Sequence, residues 1–228
     1  MPLQRRRAAL VAALCNLPPY MRNRLVQLKD EGNNLRQRPD LLWFLLIRSS
    51  ATHGQSSGWE RLAANPQALA ALSHVALSAL QPADLQPHIL AALRSVGIRM
   101  QTLKAPRLAA NFGRVMQLGG VVAATARMLA LPAHREKYLF ITQFDGIGQK
   151  YGRNIWMDLY DPSFRNTIAV DARVLEIAAA VGLQSTTYRN VESFFCSIAQ
   201  DSGLEPWEVD RLLYNYKDYF LRVIADAS

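Results

Sequence analysis

Phe144-Asp145-Gly146-Ile147-Gly148-Gln149-Lys150-Tyr151-Gly152-Arg153-Asn154-Ile155 is the stretch from which the rest of the chain is read. Helix-forming residues precede it, and two glycines one residue apart then make a tight turn. Glycine tolerates positive φ and lets another backbone come close. A second helix is predicted to start near Gln149, giving helix, hairpin and helix over about 137–158. Backbone N–H groups in such a turn, beside a helix N-terminus, suit a phosphate oxygen. Lys150 stands at the start of the second helix, and Asp171 follows 21 residues later, directly before another helical run.

Working outward, Asp161-Pro162-Ser163-Phe164-Arg165-Asn166 is a turn-rich connector. Helices are predicted beyond it at about 171–181, 188–200 and 206–224. The last opens on Glu205-Pro206-Trp207, with proline at a favoured first helical position. Its Trp207, Leu212, Leu213, Tyr216 and Phe220 read as a packing stripe. Towards the N-terminus, helices are predicted at about 119–131, 105–117, 84–96 and 59–80. Pro39-Asp40 opens an apolar helix, Leu41 to Ile47, that reads as buried on all sides. Arg48 to Gly58 is small and polar and reads as a connecting loop. Helices at about 4–15 and 20–31 are broken by Pro18-Pro19, and Gly32-Asn33-Asn34 closes the second. No segment alternates with period two for long enough to make a sheet, so the fold class is all-α.

The 228 residues are half hydrophobic, which excludes a disordered chain, and they suffice for one or two domains with a core. A formal net charge of +8 fits a polyanionic partner as well as an ordinary basic protein. Two cysteines, Cys15 and Cys196, exclude a disulfide framework and a four-thiolate cluster. His53, His74, His88 and His134 have no zinc spacing, so no metal site is expected. No apolar run is long enough to cross a membrane. The basic lead and short apolar run at the N-terminus read as a first amphipathic helix rather than a signal peptide. The expectation is a cytoplasmic protein.

The ordered set Gly146-Ile147-Gly148-x-Lys150, then Val170-Asp171, resembles the helix–hairpin–helix DNA glycosylase superfamily, which includes endonuclease III and the oxidised-guanine glycosylases. The family pattern runs Leu-Pro-Gly-Val-Gly-x-Lys-x-Ala, then Val-Asp-x-His. Here Asp145 replaces the proline, Tyr151 and Gly152 replace small helix formers, and Arg173 stands where histidine is common. With two cysteines, the chain resembles the branches without an iron–sulfur cluster. Ala51 and Thr52 match the family's Leu-Ser-Ala-Gln-Ala-Thr loop, with Ser50 where the glutamine stands and His53 or Gln55 as substitutes. Val96-Gly97-Ile98 and Lys104-Ala105 match an Ile-Gly turn and the next helix start, with Lys104 as a phosphate contact or a solvated lysine.

The resemblance implies two helical domains with the hairpin motif at the cleft between them. A central six-helix domain would span 39–167, and 1–38 with 168–228 would form the second. It implies a nucleoid-associated monomer in which Gly146, Ile147 and Gly148 grip the backbone of double-stranded DNA containing a damaged base, with a monovalent cation at the hairpin and no other cofactor. Lys150 would be the nucleophilic amine, Asp171 the conserved carboxylate, and Ser50, Thr52, His53 and Gln55 the loop near the flipped base. A lysine at this position implies a bifunctional glycosylase and abasic-site lyase, with oxidised guanine the favoured base. The alternatives are another lesion, such as an oxidised pyrimidine or alkylated purine, and a non-catalytic DNA-binding protein that keeps the hairpin.

Overall fold

The structure is a computed structural model that describes residues 2–54, 57–184 and 187–227. Among these residues there are fifteen α-helices, one 3-10 turn and no strand, as an all-α chain requires. They are α1 (Pro2–Cys15), α2 (Pro19–Leu35), α3 (Leu41–Thr52), α4 (Gly58–Ala63) and α5 (Pro66–Ala71). Next come α6 (His74–Ser78), α7 (Pro82–Ser95), α8 (Gln101–Gln117), α9 (Val121–Leu129) and α10 (His134–Thr142). The chain ends with α11 (Gln149–Asp158), α12 (Ala172–Val181), α13 (Tyr188–Ser202), α14 (Pro206–Asn215) and α15 (Lys217–Asp226). Packing divides them into two units, residues 35–155 and residues 1–34 with 156–228.

The core of the continuous unit is α3. Leu41, Leu42, Trp43, Leu45, Leu46 and Ile47 are all buried, against α8 and α9 in particular. Each such side chain is worth roughly 1.5–3 kcal/mol of apolar burial. Two polar groups of this helix are matched across the core: Trp43 Nε1 donates to Leu72 O at 2.8 Å, and the Leu42 amide to Thr125 Oγ1 at 3.1 Å. The predicted helix over 59–80 is three short ones. Asn65 and Ser73 restart the chain by accepting the amides of Ala68 and Ala76, and Pro66 occupies the first turn after Asn65.

In the other unit α1 packs on α12, α13 and α15. Helix α2 does not stop at Gly32 but runs on to Leu35. A Cβ on Gly32 would lie 2.8 Å from Asp158 O, so this glycine serves a close backbone approach and not a stop. The predicted helix over 206–224 is broken at Tyr216. The C-terminal part of α11 belongs to this unit, earlier than the boundary at 167 that the sequence suggests. The reason is packing: Trp156 stacks on Phe164, and Trp207 Nε1 donates to Met157 O at 2.7 Å. Trp207, Leu212, Leu213 and Phe220 are buried as the packing stripe predicts, while Tyr216, at the break, is only half-buried.

Candidate functional site

The hairpin joins α10 to α11. Gly146 has φ +86°, a conformation that costs other residues. The Ile147 amide donates to Phe144 O at 3.1 Å, and the Ile147 side chain is buried. That amide closes the turn. Gly146 and Gly148 are exposed, and among the described residues their amides make no hydrogen bond. Gly152 explains a departure from the family pattern. A Cβ there would sit 2.8 Å from Thr142 Cγ2 and 3.3 Å from Tyr138 Cε2, so the glycine lets α10 and α11 close on each other.

What holds the turn is a residue that the motif does not include. Asn111, 2% exposed on the apolar face of α8, spans Asp145. Its Nδ2 donates to Asp145 O at 2.9 Å, and its Oδ1 accepts the Asp145 amide at 2.7 Å. The clasp satisfies one backbone acceptor and one backbone donor of the turn with a neutral amide. Its sequence signal is a polar side chain among Leu108, Phe112 and Val115 on the buried face of an amphipathic helix.

A shallow depression beside the hairpin is lined by Leu46, Ser50, His53, Lys104, Arg107, Leu108, Asp145, Gly146 and Ile147. It brings together Ser50, His53, Lys104 and the hairpin. Helix α3 runs through Thr52, however, so Ser50 and Thr52 belong to its last turn and not to a loop. Thr52 Oγ1 is turned back onto Arg48 O and Ser49 O, both at 3.1 Å. Ala51 is buried, and a Cβ on Gly58 would collide with Ala51 O, which keeps this turn helical and packed. Gln55 lies outside the described residues.

Lys104 is 2% exposed, and its Nζ donates to His53 O at 2.7 Å. It is a wall of the depression and not a solvated lysine. Burial, and then the charge of Arg99, brings its pKa down to about 8. His53 is also pushed below its ordinary value, by burial and then by the charges of Lys104, Arg107 and Lys150. Its ring lies 5.7 Å from that of Tyr151. Lys150 is half-buried at the start of α11, with Nζ 5.5 Å from the Tyr151 ring centre. Lysine and arginine charges therefore gather around the exposed glycines, a field that favours an anion.

Asp171 lies in the other unit and is the N-cap of α12. Its Oδ1 accepts the amides of Arg173 and Val174 at 2.9 and 3.0 Å. Ionised acceptors are favoured at a helix N-terminus, where N–H groups and the dipole point at them. Arg173, where the family has histidine, stacks at 4.0 Å on the Tyr214 ring and donates to Tyr214 O at 3.2 Å. It ties α12 to α14.

No family profile matches the chain, and no curated protein matches it by sequence. Among solved structures, the crystal structure of the 8-oxoguanine DNA glycosylase of Thermotoga maritima matches with a TM-score of 0.66. The match covers 91% of this chain and 95% of that one, at 17% identity. The chain has the fold of that glycosylase. The likeness covers both units and so extends well beyond the hairpin, and at this identity it concerns the fold. No helix among the described residues is long and apolar enough to cross a membrane.

Proposed function

We propose that this protein is a bifunctional DNA glycosylase and abasic-site lyase that removes an oxidised base, 8-oxoguanine before others, from double-stranded DNA. The observation that supports the reading most is a glycosylase fold over 91% of the chain with a lysine opening α11 and a capping aspartate opening α12. A base inside a duplex is out of reach, so it has to leave the stack before chemistry. The open amides of Gly146 and Gly148, with Arg107 and Lys104 beside them, suit the sugar–phosphate backbone. Such contacts position the DNA and carry no sequence information.

Attack on C1′ requires a neutral amine, so the lysine gives up its proton before the bond forms. The Lys150 amine forms a bond to C1′ as the bond to the base breaks, and the base leaves with its electron pair and takes up a proton. Opening of the sugar ring gives a Schiff base. Loss of a proton from C2′ then expels the 3′ phosphate, and water releases the lysine. The Asp171 carboxylate stabilises the positive charge that develops on the sugar, assists loss of the lysine proton, or does both.

Borohydride trapping tests this. Duplexes carrying 8-oxoguanine, an oxidised pyrimidine or an abasic site are incubated with the wild type and with Lys150→Gln. An adduct formed only by the wild type, strongest on 8-oxoguanine, is expected. Full strand scission by Lys150→Gln would remove the lysine assignment. Binding without an adduct on any duplex would leave a base-only glycosylase or a non-catalytic binding protein, which a base-release assay separates.

A further inference from the structure

Ile168, Ala169 and Val170 lead directly into Asp171, and they belong to no helix. All three are buried, at 0, 4 and 8% exposure. A buried extended segment needs partners for its backbone, normally a neighbouring strand. Here side chains from α13 and α14 take that place. Asp210 Oδ1 accepts the Ala169 amide at 2.8 Å. The Tyr188 hydroxyl accepts the Val170 amide at 3.3 Å and donates to Ile168 O at 3.0 Å. Glu192 Oε1 receives the Ile168 amide at 3.4 Å, the longest of the set.

We infer that Asp210 and Tyr188 are positioning residues for the Asp171 carboxylate, fixing the three residues that deliver it. The inference rests on the reading of Asp171 as the catalytic carboxylate. Asp210 is suited to the task because both its oxygens are engaged. Oδ1 takes the Ala169 amide, and Oδ2 lies 3.6 Å from Arg211 Nε, whose guanidinium also pairs with Asp158 at 3.2 Å. An asparagine has only one oxygen, so its amide N–H would face either the Ala169 N–H or the guanidinium. A protonated aspartic acid has the same defect.

Burial raises the Asp210 pKa to about 6. The charge of Arg211 and the Ala169 amide oppose the rise, and the charges of Asp171 and Asp158 add to it. The other titratable groups at this segment are Tyr188 and Glu192 from α13. Above about pH 6 Oδ1 accepts the Ala169 amide while Oδ2 faces the Arg211 charge; below it one oxygen becomes a donor and the hold on Ala169 is contested. Asp210→Asn imitates the protonated state at every pH, so the wild type converges on it in acid.

Single-turnover strand scission is measured on abasic-site and 8-oxoguanine duplexes from about pH 5 to about pH 8.5, with wild type, Asp210→Asn and Asp171→Asn. Small misplacements of a reacting group cost up to ~100-fold, so Asp210→Asn is expected to be roughly tenfold slower near pH 8. DNA affinity should stay unchanged, and the rate ratio should shrink towards one as pH falls through about 6. A ratio of one throughout, or a slowing that does not vary with pH, overturns the inference; the second pattern marks a general folding defect. Asp171→Asn with wild-type rates, or a wild type inactive on both duplexes, overturns the reading beneath it as well. Loss in Asp171→Asn with no effect in Asp210→Asn overturns the positioning role alone. If Asp210→Asn does not fold, Tyr188→Phe decides. A several-fold slowing at unchanged DNA affinity is expected, and a wild-type rate overturns the inference.

Discussion

Two irregular backbone segments carry the proposed chemistry, and each is fastened differently. The turn at Asp145–Gly148 is clasped by the neutral amide of Asn111, while cationic groups gather nearby. The segment Ile168–Val170 is clasped by a phenol and a buried carboxylate, with one arginine shared between two aspartates. The segment proposed to meet a phosphate is held by a group that carries no charge at any pH. A segment that presents a carboxylate can lean on another acid, at the cost of making that support depend on pH. Both solve the same accounting of buried donors and acceptors. Only one of them titrates.

The contrast breaks first at Asn111. Replacing it with leucine leaves the Asp145 amide and carbonyl without their partners, at an expected cost of about 2–4 kcal/mol. Urea unfolding should give the same loss at pH 5.5 and pH 8. A loss that varies with pH, or one under about 1 kcal/mol, would contradict a neutral clasp.

Lys104 sharpens the contrast. Its folded pKa of about 8 lies below its ordinary 10.5. Between those values the unfolded chain holds more protons than the folded one, so stability rises with pH across that window. The penalty for the buried charge is fully present below pH 8 and is relieved above it. Compared with Lys104→Met, the wild type should gain about 3 kcal/mol between pH 7.5 and pH 10.5. An unchanged difference in urea midpoints would mean that the amine is better solvated than its burial implies.

The smallest effect concerns Arg107, whose side chain passes 3.8 Å from where a Gly146 Cβ would lie. Arg107→Gln should weaken binding to all duplexes alike and lower the salt slope by about one counterion. A slope equal to that of the wild type would remove Arg107 from the phosphate contacts.

The all-α class and the positions of Lys150 and Asp171 at helix starts were legible in the chain, because glycines, prolines and capping residues act locally. Asn65 and Ser73 are equally local signals, each capping one of the short helices within 59–80. What was not legible depends on approach between distant segments. Gly32 looks like a stop, yet it sits inside α2 because Asp158 O passes close by. Ser50 and Thr52 look like loop residues, but Ala51 and Gly58 pack their turn into a helix. The burial of Lys104 and the partners of Asp210 are set by chain many residues away, and no spacing rule announces them.

The Tyr188 hydroxyl has one proton, and that proton is committed to Ile168 O while the oxygen receives the Val170 amide. The amides of Ala169 and Val170 thus point at side-chain oxygens, in a stretch with neither helix nor sheet. In a hydrogen-exchange map these two amides should be as slow as those of a helix core, and a secondary-structure reading of the exchange data would misassign them. They also report on Asp210 from within. In acid the Ala169 amide should quicken first, before any neighbouring helix opens.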